Sequence, residues 1–577
     1  MIATLLLAAA LGPIAAIRPD RVTRGTPRFV VLRLRVNAYG INGTGTIAID
    51  RSTGAFVRRL DVGPISEQEG SDGRHAWRAD ATGFPRIEGN RDRIGAIRVW
   101  SHVLSGAGPT PQTVAASAGN PSALHVRWAD VARGAEAKLD SKTGLLTSLV
   151  RCEAGEEAET WFADYRTVNG LVIPFELRDT SDGGTWIATV RSAEFPQALP
   201  RATFAPPAPP HDVLAVESTT LPMLGTLAQP VIAVQLNNGP PLRMILDTGG
   251  QNVITPSAAQ RLGLHVVGGG KAAGVGSSLA STRFAWVARM TVGNVVLRQQ
   301  PFIVLDLGST IGAAADGIVG YELLARLGAR VDFARRSVTF VRDAYDLAPK
   351  PGRVAVPFVF SDRQPQVSGG IDAIPGSMTI DTGADDAIIV TSPAVRSYHL
   401  VNYFHATVCG PLEGGVGGAE NVCLAHAKAV RLGRAFVRDP GVELATHSRS
   451  GATADPSTIA NIGDDVLGRF TVDFDYARQQ ITLSPNGTPL PPPYGDLSGI
   501  LLAPVGQTLR ALLVLTGTPA YAAGIRAGAV IVAIDGTPVT SADYKRISTL
   551  LRSKSGTRVT VRTSDDRTFV FHLRRYI

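Results

Sequence analysis

Apolar and polar residues alternate in short stretches along much of this chain, and that pattern predicts β-strands rather than long helices. Residues 29–36, Phe-Val-Val-Leu-Arg-Leu-Arg-Val, alternate in part. Turn-forming residues at 50–54 and 140–144 precede further strand-like runs, which is typical of hairpins. The 61 Gly and 38 Pro residues agree with many turns and short strands. We therefore expect a mainly β protein.

Proline-rich stretches divide the chain into units. They lie at 205–210, 349–352 and 489–493, and such runs favour extended, semi-rigid linkers. At 577 residues the chain is long enough for several domains. The predicted units cover residues 25–200, 212–347, 352–484 and 496–577.

The two central units repeat one another around Asp-Thr-Gly. The first copy reads Met-Ile-Leu-Asp-Thr-Gly-Gly at 244–250, and the second reads Met-Thr-Ile-Asp-Thr-Gly-Ala at 378–384. Ile-Val-Gly follows the first copy at 318–320, and Asn-Ile-Gly follows the second at 461–463. One triplet alone is an ordinary turn sequence. Two triplets with repeated flanks predict a duplicated unit in which each copy supplies one carboxylate.

This constellation resembles the aspartic peptidases, the superfamily of pepsin and the retroviral proteases, over residues 212–484. The resemblance implies a pepsin/retropepsin-like pair of β-barrels whose two lobes are the two central units. It implies an aspartic endopeptidase whose activated-water chemistry needs no metal or cofactor. It also implies no obligatory homodimer, because both halves lie in one chain. The residues that it assigns to the site are the catalytic Asp247 and Asp381 and the supporting Thr248, Gly249, Thr382 and Gly383.

Two carboxylates suit this chemistry because they cannot both ionise cheaply when they lie close together, so one remains protonated while the other acts as a base. Pepsins place a hydroxyl residue after each triplet, where it favours the charged form. This chain has Gly250 and Ala384 instead. We expect the pair to titrate higher than in pepsin, with a working pH from mildly acidic to neutral.

The chain departs from the retroviral pattern at several positions. Tyr321 and Asp464 stand where that family has an Arg after the apolar-apolar-Gly segment, and Gln251 stands opposite Asp385. The Gly-rich segments 268–276 and 410–418 are the candidate flaps, the hairpins that close over a bound peptide. The predicted substrate contacts are Asp385, Gly274, Gly276 and Gly415.

The last unit resembles a PDZ domain on residues 518–528 and 530–539. Such domains bind extended peptides or chain ends by adding a strand to a sheet edge. The resemblance places the carboxylate-binding loop at Gly499, Ile500 and Leu501. The alternative is a domain that only packs on the peptidase.

The N-terminal unit, with spaced Trp, Gly and turn residues, resembles the curved antiparallel half-barrel of the outer-membrane lipoprotein carriers. That resemblance implies an apolar concavity able to hold an acyl chain or a protein segment. A plain packed sheet that serves as a spacer or prodomain is the alternative.

The start of the chain and its cysteines indicate export. Residues 1–17 are apolar and end in small residues, which is typical of a signal peptide. We therefore expect a periplasmic or otherwise extracytoplasmic protein. Cys409 and Cys423 flank the second Gly-rich segment and would form a disulfide in an oxidising compartment, although three unpaired cysteines remain an alternative. The net charge of +8 is not concentrated in a basic run, so a nucleic-acid partner is disfavoured.

Two functions from different classes remain. The first is an exported aspartic endopeptidase whose PDZ domain recruits polypeptide substrates. The second is a non-catalytic envelope scaffold that holds lipidated or unfolded proteins through its N-terminal and PDZ domains. An enzyme kept latent until its N-terminal region moves is a variant of the first.

Overall fold

The computed structural model of the chain describes residues 25–88, 100–101, 103–104, 114–117, 120–126, 135–140, 142–153, 156–181, 183–210, 213–214, 218–225, 228–272, 274, 278–308, 315–385, 388–448, 451–489 and 496–576.

In the N-terminal part, the described residues form an antiparallel sheet of 13 strands. Its strands are β1 (Phe29–Ala38), β2 (Ile41–Asp50), β3 (Ala55–Asp61), β4 (Glu67–Ser71), β5 (Ala76–Ala79), β6 (Pro85–Ile87), β7 (Val114–Ser117), β8 (Asn120–Val126), β9 (Ala135–Leu139), β10 (Leu146–Glu153), β11 (Glu156–Val168), β12 (Leu171–Ser181) and β13 (Gly184–Glu194). Strand β1 lies inside the sheet and pairs with β2 and β13. Val30 and Leu32 of β1 pack into a core that also contains Trp100.

The first central unit contains a closed ring of strands. Its elements are β14 (Val213–Leu214), β15 (Ser218–Pro222), β16 (Val231–Leu236), β17 (Pro241–Leu246), β18 (Val253–Ile254), α1 (Pro256–Arg261), β19 (Val266–Ala272), β20 (Ala280–Val292), β21 (Val295–Leu305), β22 (Gly317–Val319), α2 (Tyr321–Leu324), β23 (Gly328–Asp332) and β24 (Ser337–Val341). The ring runs β16-β17-β22-β18-β21-β20 and closes because β20 pairs with both β21 and β16. Met244 and Val319 are fully buried within it.

The second central unit has the corresponding elements. They are β25 (Val354–Ser361), β26 (Gln364–Ile371), β27 (Ile374–Ile380), β28 (Ile388–Val390), α3 (Ser392–Ser397), α4 (Leu400–Tyr403), β29 (Val408–Gly415), β30 (Gly418–His426), β31 (Ala429–Leu432), β32 (Ala435–Arg438), β33 (Gly441–Ala445), β34 (Ala460–Ile462), α5 (Asp464–Leu467), β35 (Phe470–Asp475) and β36 (Gln480–Pro485). Helices α1 and α3 both follow a Thr at the N-cap and carry a Pro in their first turn, as the helix-start preferences favour.

The strand pairings of the two central units match. Strand β17 pairs in parallel with β22, and β27 pairs in parallel with β34. Strands β18 and β28 then pair antiparallel with β22 and β34, respectively. The units share a sheet as well, since β23 pairs antiparallel with β35 from Ala329↔Phe474 to Asp332↔Thr471. The repeated sequence therefore folds into repeated structure around a common core.

The C-terminal part is a separate small sheet with two helices. Its elements are β37 (Ile500–Val505), β38 (Thr508–Val514), α6 (Pro519–Ala522), β39 (Val530–Ile534), β40 (Thr537–Pro538), α7 (Tyr544–Leu551), β41 (Arg558–Thr563) and β42 (Thr568–His572). Its own core includes Leu509, Ile531, Ile547 and Val561.

The mainly β prediction is confirmed by these sheets. Residues 1–17, the predicted signal peptide, lie outside the described residues. Within the described ranges, no helix has both the length and the apolar character needed to cross a membrane. The exact domain limits and the acyl-chain ligand of the N-terminal sheet stay predictions.

Candidate active site

The two Asp-Thr-Gly loops begin where the paired strands β17 and β27 end. The backbone N–H of Asp247 donates to the carbonyl oxygen of Val319 at 3.0 Å. The backbone N–H of Asp381 donates to the carbonyl oxygen of Ile462 at the same distance, 3.0 Å. The segments 318–320 and 461–463 thus each hold one Asp at the edge of its own core.

Two threonines join the loops to one another. The Thr248 hydroxyl donates to the carbonyl oxygen of Ile380 at 2.7 Å, and it accepts from the backbone N–H of Thr382 at 3.0 Å. The Thr382 hydroxyl donates to the carbonyl oxygen of Leu246 at 2.7 Å and accepts from the N–H of Thr248 at 3.2 Å. Both threonines are fully buried, so these bonds are shielded from water.

Glycine after each threonine lets the two carboxyl groups approach. A Cβ at Gly249 would lie 2.7 Å from Cγ of Asp381, and a Cβ at Gly383 would collide with the carboxyl group of Asp247. Each carboxyl group therefore rests on the glycine of the other loop. The two carboxyl groups are hydrogen-bonded to each other.

The two carboxyl groups have different partners. Each accepts a backbone N–H from its own loop, from Gly249 at 2.7 Å and from Gly383 at 2.8 Å. Asp381 also accepts from the Asn461 side-chain amide at 2.7 Å. Burial, together with the neighbouring charge of Asp381, raises the pKa of Asp247 well above its ordinary value. The site is an asymmetric pair in which Asp247 is the carboxyl group favoured to hold a proton.

Asn461 could have been identified from the sequence as a polar residue at an apolar position of the repeat. The repeat places it opposite Ile318, so the second copy has an amide where the first has an aliphatic side chain. Gln364 has a comparable supporting position, since its amide donates to the carbonyl oxygen of Gly249 at 2.7 Å. Sequence reasoning missed both residues.

Two hairpins, β19–β20 and β29–β30, carry the predicted flap segments and meet at their tips. A Cβ at Gly274 would lie 2.5 Å from Cβ of Val416, and the N–H of Ser278 donates to the carbonyl oxygen of Gly417 at 3.0 Å. Gly415 ends β29 beside this contact, whereas Gly276 lies outside the described residues.

The first hairpin is held from outside by the N-terminal sheet. The N–H of Gly269 donates to the carbonyl oxygen of Tyr39 at 2.9 Å, and the N–H of Lys271 donates to that of Gly183 at 2.8 Å. Both donors lie on β19, an end strand in the order of its sheet. The N-terminal sheet therefore occupies an edge that would otherwise be free.

The second hairpin is held by a disulfide and by the C-terminal sheet. Cys409 and Cys423 are disulfide-bonded between β29 and β30. Leu515 packs against Val408 in a small buried cluster, and the Thr516 hydroxyl donates to the carbonyl oxygen of Cys409 at 3.2 Å.

A cavity of about 370 Å³ opens between the N-terminal sheet and the first hairpin. Tyr39 and Ser181 line it on one side, and Gln251 and Lys271 line it on the other. Gln251 is four residues after Asp247, so their Cα atoms are at most about 14 Å apart.

Two positions that depart from the retroviral pattern, Tyr321 and Asp464, contribute backbone hydrogen bonds to the Asp loops. The N–H of Tyr321 donates to the carbonyl oxygen of Gly250 at 3.0 Å, and the N–H of Asp464 donates to that of Ala384 at 2.9 Å. Asp385 is exposed and lies near Asp465, whose pKa burial raises to about 6. The role of Asp385 in substrate binding stays a prediction.

The predicted peptide-binding loop of the last unit lies at the start of β37. Gly499 has a φ of +80°, and a Cβ there would collide with the side chain of Thr518. Leu501 is 49% exposed.

No metal-binding group of three or more His, Cys, Asp or Glu side chains is present within the described parts of the chain.

Comparison with known families agrees with this architecture. The aspartyl protease family model matches residues 232–323, which include the first Asp-Thr-Gly triplet. A PDZ domain model matches residues 511–563. No curated protein matches the chain. The chain thus contains a region similar to the aspartyl proteases and a C-terminal region similar to PDZ domains, and the resemblance to both families is confirmed.

Proposed function

We propose that this protein is an exported aspartic endopeptidase of bilobal, pepsin-like arrangement, with Asp247 and Asp381 as its catalytic pair. The observation that carries the proposal is the reciprocal geometry of the two loops. Each carboxyl group rests on the glycine of the opposite loop, and each threonine bonds the opposite strand. A structural turn has no need of two carboxyl groups in hydrogen-bonding contact, because placing them together costs free energy.

The asymmetry of the pair assigns the first proton transfers. Asp381 is the base, because the Asn461 amide stabilises its ionised form. It accepts a proton from a water molecule whose oxygen attacks the peptide carbonyl carbon. Asp247, protonated at the outset, gives its proton to the carbonyl oxygen. The product is a neutral tetrahedral diol, with Asp247 now ionised and Asp381 protonated.

Bond cleavage reverses these protonation states. Asp247 takes a proton from one hydroxyl of the diol, and Asp381 gives its proton to the amide nitrogen as the carbon–nitrogen bond breaks. A carboxylic acid and an amine leave, and the pair returns to its first state. The threonine bonds keep the two loops in register throughout, which is the positioning that the reaction requires.

The two hairpins that carry the flap segments set the form of the substrate. The tips of the two hairpins meet, so they separate to admit an extended chain and then close over it. We assign the substrate class as unfolded or extended polypeptide, with the PDZ domain as the recruiting module. The apolar N-terminus and the disulfide support export to an oxidising compartment.

Cleavage of an unfolded protein tests this function. Full-length protein is incubated with unfolded casein from mildly acidic to neutral pH, and the new chain ends are identified by mass spectrometry. We expect internal cuts that a peptide analogue with a secondary hydroxyl in place of the scissile carbonyl blocks, since it mimics the tetrahedral diol. Binding of casein without any new chain ends would instead favour the scaffold function.

A further inference from the structure

The start of the PDZ domain contains a carboxylate from the chain itself. Asp496 lies at the base of the loop 497–501. This loop contains Gly499, Ile500 and Leu501, where the PDZ resemblance places a ligand's terminal carboxylate. Asp496 Oδ1 accepts from the backbone N–H of Ser498 at 2.8 Å, and Oδ2 accepts from the N–H of Ile500 at 2.9 Å. The Ser498 hydroxyl donates to the same carboxylate at 2.7 Å.

Other backbone groups of the loop also form hydrogen bonds within the protein. The N–H of Leu497 donates to the carbonyl oxygen of Leu551 at 2.9 Å, and the carbonyl oxygen of Gly499 accepts from Leu515 at 2.9 Å. The Gly499 N–H interacts with Asp496 too. Ser498 is fully buried. A ligand carboxylate would find these donors occupied and out of contact with solvent.

Displacing Asp496 brings little gain. One carboxylate would replace another on the same donors, so the number of charge-assisted hydrogen bonds would not rise. Asp496 would meanwhile lose its partners, and a partly buried carboxylate without partners is costly. The energy that usually favours a free chain end in such a loop is therefore absent here.

The peptide-binding edge itself is open. Strand β37 is the end strand of its sheet and pairs with β38 on one side among the described residues. Leu501 and Val505 on this strand are 49% and 42% exposed, and Tyr544 at the start of α7 is 39% exposed. An extended apolar segment can therefore add to this edge without any charged end.

The geometry points to a PDZ domain that binds internal, extended apolar segments of a polypeptide and does not select free C-termini. Asp496 acts as a built-in substitute for the terminal carboxylate of a ligand. The groove then recruits any exposed apolar stretch along a chain. This inference concerns binding alone and stands whether or not the Asp247–Asp381 pair is catalytic.

Peptide display on the full-length chain tests the inference. The Asp381→Asn form is used so that probes are not cut. One library presents random ten-residue peptides with a free C-terminus, and the other presents them followed by a fixed Gly-Ser tail. The best binders are then made as free acid, C-terminal amide and tail-extended peptide, and their Kd values are measured by fluorescence polarisation.

We expect the three forms to bind with Kd values within about twofold of one another, because no donor in the loop is available to the free acid. Asp496→Ala frees those donors and should favour the free acid over the amide by about tenfold. Ser498→Ala, which removes one bond to Asp496, is a milder second variant with a smaller shift in the same direction. A thermal melt of each variant checks that the fold is kept.

A matched pair of substitutions locates the binding edge. Leu501→Lys on β37 should weaken binding at least tenfold, whereas Leu512→Lys, on the neighbouring β38 and 51% exposed, should leave it unchanged. Tenfold tighter binding of the free acid by the unsubstituted loop would overturn the inference. Absence of any binder from either library would overturn it as well.

Discussion

Asn461 offers the sharpest test of how the two carboxyl groups divide their roles. It is buried, and its amide donates to Oδ2 of Asp381 at 2.7 Å. Asn461→Leu keeps a side chain of similar size and removes this donor. Because this hydrogen bond orients and stabilises the carboxylate that accepts the proton from water, its loss should weaken the base.

The size of the effect follows from the strength of the bond. A hydrogen bond to a charged group contributes about 1.5–3 kcal/mol. Each 1.4 kcal/mol of lost stabilisation corresponds to about a tenfold change in rate. The value of kcat/KM should therefore fall by about 10- to 100-fold when this hydrogen bond is removed.

The assay is kcat/KM for one peptide substrate over the full pH range, measured for the unsubstituted protein and for Asn461→Leu. Ile318→Leu is the matched control, since Ile318 is the counterpart of Asn461 in the first copy of the repeat. Its kcat/KM should match that of the unsubstituted protein. An unchanged kcat/KM in Asn461→Leu as well would refute the assignment of Asp381 as the base.

Three further outcomes follow from the site. Thr248→Val removes the hydroxyl that bonds the Ile380 carbonyl oxygen and the Thr382 N–H. The free energy of unfolding of the central region, measured by urea titration, should therefore fall by about 2–6 kcal/mol. Thr248→Ser keeps both hydrogen bonds and should keep the stability. Gly250→Ala places a Cβ 2.6 Å from Oδ2 of Asp247 and should lower kcat/KM by about 100-fold, whereas Ala384→Gly in the second copy should change it little. Removal of residues 1–211 frees the edge of β19, so amide hydrogen exchange should rise over residues 266–292 but not over residues 408–426. The value of kcat/KM should fall as well. Unchanged exchange and activity would show that the N-terminal sheet is dispensable.

The central repeat could be predicted from the sequence because its constraints are local. Asp247 and Asp381 follow short apolar strands, and glycine is required two residues later, where a Cβ would collide with the opposite carboxyl group. The same constraints act in both copies, so the two segments stay alike and are recognisable as a pair.

The supports of the site were not predictable in the same way because they depend on long-range packing. The bond from Gly269 to Tyr39 joins parts of the chain that are far apart in sequence, and no local pattern indicates it. Asn461 is intermediate, since comparison of the two copies shows an amide opposite Ile318 but does not show which carboxyl group it contacts. Asp496 precedes the loop that it fills, and only the fold shows that its oxygen atoms accept from that loop.

The central claim is that Asp247 and Asp381 together hydrolyse peptide bonds. The most direct measurement is kcat/KM on a peptide substrate for the unsubstituted protein, Asp247→Asn, Asp381→Asn and a control, Asp566→Asn, whose side chain is 88% exposed in the PDZ domain. Each of the first two substitutions should lower kcat/KM by at least about 100-fold while the thermal melt is kept, and the control should match the unsubstituted protein. Equal activity in all four proteins would contradict the claim.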